Sequence, residues 1–298
     1  MSGRAKNIIY FAGMKQFLLI GLSVFCFIRT ASAQVEPSYV YQGEFGILGG
    51  VSQYFGDLNP DLHFNTPKAA FGVFFRKQVT DYISVRIQGQ FAQLGYSDVY
   101  NTQNAFDLRR NLSFNTNVWQ LGLQGDFNFF RFIPGDGDHR STPYLTVGIG
   151  MFSFDPYAYL GGQKYYLREL GTEGEGSPAY PDRKPYSNIA AYIPLGLGYK
   201  YNLNPQMNIG IEVVYNFTTT DYLDDVSKTY AGINNFPTLP SGDPSIAALL
   251  QDRSYETGTP PIGIQGRQRG YKNQNDGFLF VEVMFSMNLS SYRCPTAK

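Results

Sequence analysis

Eight stretches of this chain alternate apolar and polar residues with a period of two, and none carries a charge at a central apolar position. They span 44–54, 69–77, 82–94, 118–130, 144–152, 189–201, 208–217 and 278–289. Side chains of a strand alternate between faces, so each stretch reads as a strand with one oily face. In VWQLGLQGDFNFF, 118–130, Trp119, Leu121, Leu123, Phe127 and Phe129 share that face, and Gln120, Gly122, Gln124, Asp126 and Asn128 oppose them. A soluble sandwich turns such faces inward. A membrane barrel turns them to lipid and keeps the polar faces for its lumen. Arg or Lys on a lipid face costs roughly 2–4 kcal/mol near the midplane, a cost the charge-free stripes avoid.

The polar faces do not resemble those of a solvated sheet. They are rich in glycine and hold isolated charges: Glu44, Arg76, Arg86, Asp126, Lys200, Glu212 and Glu282. The lumen of a small barrel is filled by side chains, and a buried charge needs a partner. The four acids are therefore expected to pair with Arg76, Arg86 and Lys200 in a polar network that leaves no open pore. Pro194 lies inside one stretch and lacks a ladder donor, so a local bulge is expected there.

The connections alternate in length. Long ones run 55–67, 96–116, 154–187 and 219–275; the tight ones include Val79-Thr80-Asp81 and NLNPQM, 202–207. This is the layout of outer-membrane barrels, and loops this long are uncommon inside one compact soluble domain. Composition agrees. Aromatic residues make up 16% and charged residues only 16%, against about 25% in ordinary globular domains. No apolar run approaches the roughly 20 residues of a membrane helix. The expected fold is all-β: an eight-stranded antiparallel transmembrane outer-membrane β-barrel with long extracellular loops and short periplasmic turns.

The N-terminus points to export. Residues 14–34, MKQFLLIGLSVFCFIRTASAQ, have a basic start, an apolar core and Ala31-Ser32-Ala33, the pattern of a cleaved signal peptide. Residues 1–33 are read as that leader, with Met1 or Met14 as the start. Residues 34–43 are read as a periplasmic segment, 44–289 as the barrel and 290–298 as a periplasmic tail. Removal of the leader takes away Arg4, Lys6, Lys15 and Arg29 and leaves a formal charge of −4. No basic stripe suggests nucleic acid. Cys294 is then the one remaining cysteine, which excludes an internal disulfide and makes Arg293 and Cys294 a candidate partner contact, with an intermolecular disulfide conceivable.

Motifs for chemistry are weak. LGTEGEG, 170–176, lacks the lysine and Ser/Thr of a phosphate loop and reads as a flexible surface loop. TDYLDDVSKTY, 220–230, clusters Asp221, Asp224 and Asp225 without EF-hand spacing and reads as a helical turn with acids near its start. His63 and His139 lie in connections and suggest no triad. No catalytic residue, cofactor or metal is expected.

Several stretches resemble a known family: EFGILGGVSQYFGDLN at 44–59, TPYLTVGIGMFSFDPYA at 142–158, ELGTEGEG at 169–176, IPLGLGYKYNL at 193–203, TTTDYLDDVSKTY at 218–230 and the terminal RCP at 293–295. Together they resemble the PorG-type outer-membrane barrel, the DUF6089 group, of the type IX secretion system of Bacteroidota. LGTEGEG and TDYLDDVS are the specific part of the likeness. The resemblance implies a non-enzymatic accessory that associates with a periplasmic ring of PorK lipoprotein and PorN and holds it against the outer membrane. In that system the cargo carries C-terminal sorting domains, and in gliding bacteria it includes adhesins. The alternative is a small outer-membrane transport barrel for a small or apolar solute. A loop-based enzyme and a soluble sandwich fit less well.

Overall fold

Lipid-type and lumen-type faces sort cleanly along the strands of the computed structural model, which describes residues 39–271 and 274–292. Eight long strands form the wall: β1 (Tyr39–Phe55), β2 (Lys68–Gln78), β3 (Ile83–Ser97), β4 (Ser113–Asn128), β5 (Ser141–Ser153), then β8 (Ile189–Asn204), β9 (Met207–Thr218) and β10 (Gly277–Tyr292). Between β5 and β8 a small hairpin, β6 (Tyr157–Leu160) and β7 (Gln163–Tyr166), rises from the wall. The order β3-β2-β1-β10-β9-β8-β5-β4, with β3 also paired to β4, closes the sheet on itself. Around the wall, β1–β2, β2–β3, β3–β4, β4–β5, β5–β8, β8–β9 and β9–β10 pair antiparallel. This is a closed eight-stranded antiparallel barrel, and closure removes the free edges of the wall.

The oily stripes face out. Ile149 is 66% exposed and Trp119 61%, and Phe45, Ile47, Phe71, Leu121, Leu197, Ile211 and Met287 are exposed with them. Such a surface is unfavourable in water and suits a bilayer. Phe71, Phe91 and Trp119 sit in register on three neighbouring strands, with ring centroids 5.1 and 4.8 Å apart. Helices are short: α1 (Ala105–Arg110), α2 (Leu167–Leu170) and α3 (Ile246–Gln251), all in the long connections. No helix among the described residues is long and apolar enough to cross a membrane.

Two local expectations need correction, and one element is additional. Pro194 makes no bulge: β5 pairs β8 in one register on either side of it, and only the ladder next to the missing N–H is interrupted. The register shift in β8 falls instead at Asn202/Asn204, beside the turn. The strand ends also differ, since β1 begins at Tyr39 and β10 runs to Tyr292. The β6–β7 hairpin went unforeseen inside the 154–187 connection. Its turn is Gly161-Gly162, both at positive φ (58° and 83°), the backbone that tight hairpins require.

The interior has two halves. Toward the long connections, Tyr54, Phe114, Phe152, Tyr192, Phe278 and Phe280 from the wall join Leu58, Leu112, Leu167, Leu223, Val226 and Leu250 from the loops in one apolar core. Toward the short turns the filling is polar, apart from a cluster of Leu48, Phe74 and Met284.

Candidate functional site

All seven charged residues expected in the lumen are buried there. Strand register sets their places. Glu44 faces Arg76, Arg76 faces Arg86, and Arg86 faces Gln124 around four successive strands. Two guanidinium groups therefore lie side by side, and acids converge on them. Arg86 Nη2 is 2.9 Å from Glu212 Oε1 and 3.8 Å from Asp126 Oδ1, and it donates to Gln124 and Thr146. Arg76 pairs with Glu44 and sets its Nε 2.6 Å from Asp126 Oδ2. Glu212 and Glu44 gain further donors. Tyr144 donates to Glu212 Oε2 at 2.5 Å, and Ser286 and Asn208 each donate to Glu44 Oε2 at 2.5 Å.

Two expected partners stand apart from this pairing. Glu282 accepts from Gln90, whose Oε1 takes N–H groups from Gln88 and Gln120, both at 2.7 Å. No ion pair joins Glu282 or Lys200 among the described residues. Lys200 Nζ instead sits 4.5 Å from the Phe132 ring centroid, a cation–π contact. Glycines make room for the large fillers. A Cβ on Gly198 would collide with the Tyr144 ring, and one on Gly150 with Tyr192. The void between Glu44, Phe74, Arg76, Lys200 and Met284 measures about 10 Å³, room for a single water at most.

The second built region is a cap over the long-connection end. Here LGTEGEG and TDYLDDVSK, singled out separately in the sequence, dock on each other. Thr172 donates to Asp225 Oδ2 at 2.5 Å. Glu173 accepts from the backbone N–H groups of Ser227 and Lys228, each at 3.0 Å, and from Arg269 Nη1 at 3.2 Å. Gly171 and Gly174 hold φ of 60° and 86°, which turns the backbone so that Thr172 and Glu173 point inward. Both are 0% exposed, so the expected flexible surface loop is in fact a buried joint. The segment 220–230 is a series of bends, which corrects the expected helical turn. Its acids are engaged by side chains from other loops, and that leaves no helix start for them to cap.

Arginines tie the cap together. Arg110 donates through Nε and Nη2 to both oxygens of Asp98, at 2.8 and 2.7 Å, and reaches the carbonyls of Asp57 and Arg269. It thus links the loops after β1 and β3 to the one before β10. Arg269 donates to the Asp225 carbonyl and to Glu173. Burial pushes the Asp225 carboxyl up to about 7 even though Arg269 opposes the shift. Burial likewise raises Asp98 against the pull of Arg110.

Deep in the cap, Tyr54 Oη lies 2.5 Å from Asp224 Oδ2 and 2.9 Å from Asp276 Oδ1. No group of three or more His, Cys, Asp or Glu residues among the described ones is placed to hold a metal. His139 Nδ1 contacts Asp136 at 2.8 Å near the short turns, far in sequence from the cap acids. Arg293 and Cys294, the candidate partner contact, lie outside the described residues, as does the leader. The cap residues Tyr54, Glu173, Arg269 and Asp276 were not foreseen as a group. The one signal for them was the presence of two acid- and glycine-rich motifs in separate loops.

A family model described as "Domain of unknown function (DUF6089)" matches residues 16–243. No curated protein matches the chain. Among solved structures, it is similar to the N-terminal β-barrel domain of OprF from Pseudomonas aeruginosa, at 10% identity over 84% of this chain and 100% of that one, with a TM-score of 0.35. It is similar to Neisserial surface protein A at 9% identity over 86% of this chain and 100% of that one, TM-score 0.38. It is also similar to Ail, the attachment invasion locus protein of Yersinia pestis, at 10% identity over 83% and 99%, TM-score 0.36. At such scores the barrel assignment rests on the strand pairings of this chain itself.

Proposed function

The chain belongs to the DUF6089 family, and we propose that it is a non-enzymatic outer-membrane component of the type IX secretion machinery, linking a periplasmic ring of PorK and PorN to the membrane. One observation supports a structural role over transport: the lumen is filled. Arg76 and Arg86 are locked by Glu44, Asp126 and Glu212, and the cap core closes the other end. A solute would have to break buried ion pairs, each costing on the order of 3–5 kcal/mol when one partner is lost. The resemblance of LGTEGEG and TDYLDDVS to the PorG-type barrels supplies the machine. In this reading the long connections face the exterior, and the short turns with Arg293 and Cys294 face the ring.

Crosslinked pull-down from outer membranes tests it. PorK and PorN should be recovered with the wild type. Their loss in Cys294→Ser would place the contact at the tail, and unchanged recovery would move it to the turns. Recovery of the barrel alone, or ion conductance through it in a planar bilayer, would sink the proposal.

A further inference from the structure

We propose that the loop cap is held shut by a proton shared among Tyr54, Asp224 and Asp276, so that it loosens as pH rises. The geometry requires that proton. Tyr54 Oη has one hydrogen but two carboxylate oxygens within hydrogen-bond distance, at 2.5 and 2.9 Å. It donates to one of them. The other contact is a hydrogen bond only if that carboxyl carries its own proton and donates to the phenol oxygen. All three side chains are buried, with Tyr54 and Asp224 and Asp276 each 1% exposed. The outer oxygens are already committed: Asp224 Oδ1 accepts from Val226 N and Asp276 Oδ2 from Leu223 N, both at 2.9 Å. The site is shaped around the trio, because a Cβ on Gly56 would collide with Tyr54 Oη and Asp276 Oδ1.

The latch joins three places in the chain: the end of β1, the start of the 219–275 connection and its return into β10. The charged groups facing it are also acids. Asp57 faces both Asp224 and Asp276, and Asp221 faces Asp276. The nearest cations serve other groups: Arg110 and Arg269 face Asp57, and Lys228 faces Asp221, where Glu173 and Ser227 also lie. Burial, then the neighbouring acids, holds Asp224 and Asp276 well above the usual carboxylate range. Burial lifts Asp57 to about 6 and Asp221 to about 7.

The sign follows from proton counting. The closed cap binds protons that the open cap releases, so closure is complete at low pH. It is lost as pH rises through the closed-state values. Each proton released multiplies the open-to-closed ratio by up to about tenfold per pH unit.

The test is hydrogen exchange of the Leu223, Val226 and Tyr230 amides, with the protein in detergent micelles and rates corrected for intrinsic pH dependence. Wild-type protection should fall about tenfold or more between pH 6 and 9. Asp276→Asn should fall less steeply, since its amide donates to Tyr54 and accepts from Leu223 with no proton to lose. A smaller wild-type fall, or an equal slope in the variant, overturns the proposal. If Asp276→Asn does not fold, Asp224→Asn gives the same readout. Failure of both to fold overturns it too, because a neutral amide should replace a neutral acid. The result is independent of any ring contact.

Discussion

Two buried acid sets of this barrel, one in the lumen and one deep in the cap, are solved in opposite ways. In the lumen, Glu44, Asp126 and Glu212 answer Arg76 and Arg86. In the cap, Asp224 and Asp276 answer each other through a phenol. The difference follows from the backbone. Lumen residues project from strands whose register sets Glu44 opposite Arg76 and Arg76 opposite Arg86, so that acids and guanidiniums share one level. Cap residues project from irregular loops, where neighbours are chosen by loop packing: Asp98 and Glu173 meet arginines, but between Asp224 and Asp276 a proton does the work of a cation. The strand frame fixes its interior charges in ion pairs; the loops hold, beside the Arg110 and Arg269 pairs, one acid pair whose charge pH can change.

The sharpest way to break the comparison is to remove the lumen cation. Arg86→Met leaves Glu212 and Asp126 short of a partner in a buried site. Such losses cost about 3–5 kcal/mol. Urea unfolding in detergent should show that drop, and a loss under 1 kcal/mol would mean the ion pairs do not hold the lumen. The outer face gives the next effect. Ile149→Arg places a charge on the lipid side of β5, for about 2–4 kcal/mol near the midplane. Unfolding in lipid vesicles checks it. A neutral result would place Ile149 away from the hydrocarbon.

The cap joint should be weaker and local. Glu173→Gln keeps the side-chain shape but loses the charged acceptor of Ser227, Lys228 and Arg269. Hydrogen bonds to charged groups are worth about 1.5–3 kcal/mol. The amides of Ser227 and Lys228 should exchange faster while those of β3 and β4 stay protected. A uniform change across the barrel would show that cap and wall unfold as one unit.

These contrasts also mark what the sequence made legible. The wall was readable because lipid forbids charge on one face of every strand, so Trp119, Leu121 and Leu123 announce the pattern on their own. The lumen acids were readable for the same reason, as charges stranded on glycine-rich faces. The cap was not. Thr172 meets Asp225 across 53 residues of chain with no periodic backbone between them. Polar loop residues look solvated until their partners are known, which is why LGTEGEG reads as a surface loop in the sequence and is a buried joint in the fold. Pro194 differs from its expectation for another reason: the barrel absorbs its missing N–H as a gap in the ladder, with no shift of register.

The finest test separates two glutamates that face each other across β9 and β10. Glu212 takes Arg86 and Tyr144, whereas among the described residues Glu282 takes the Gln90 amide alone. Glu282→Gln swaps one amide-bonded acceptor for another, and a neutral hydrogen bond is worth about 0.5–1.5 kcal/mol. Its unfolding midpoint should stay close to wild type, within about 1 kcal/mol. Glu212→Gln should lose clearly more, because it strips a buried guanidinium of its counter-charge. Equal losses would mean that the lumen cations serve both strands alike. The division between acids that need a cation and acids that do not would then separate the Tyr54 trio alone from the lumen ion pairs and the arginine-bound acids of the cap.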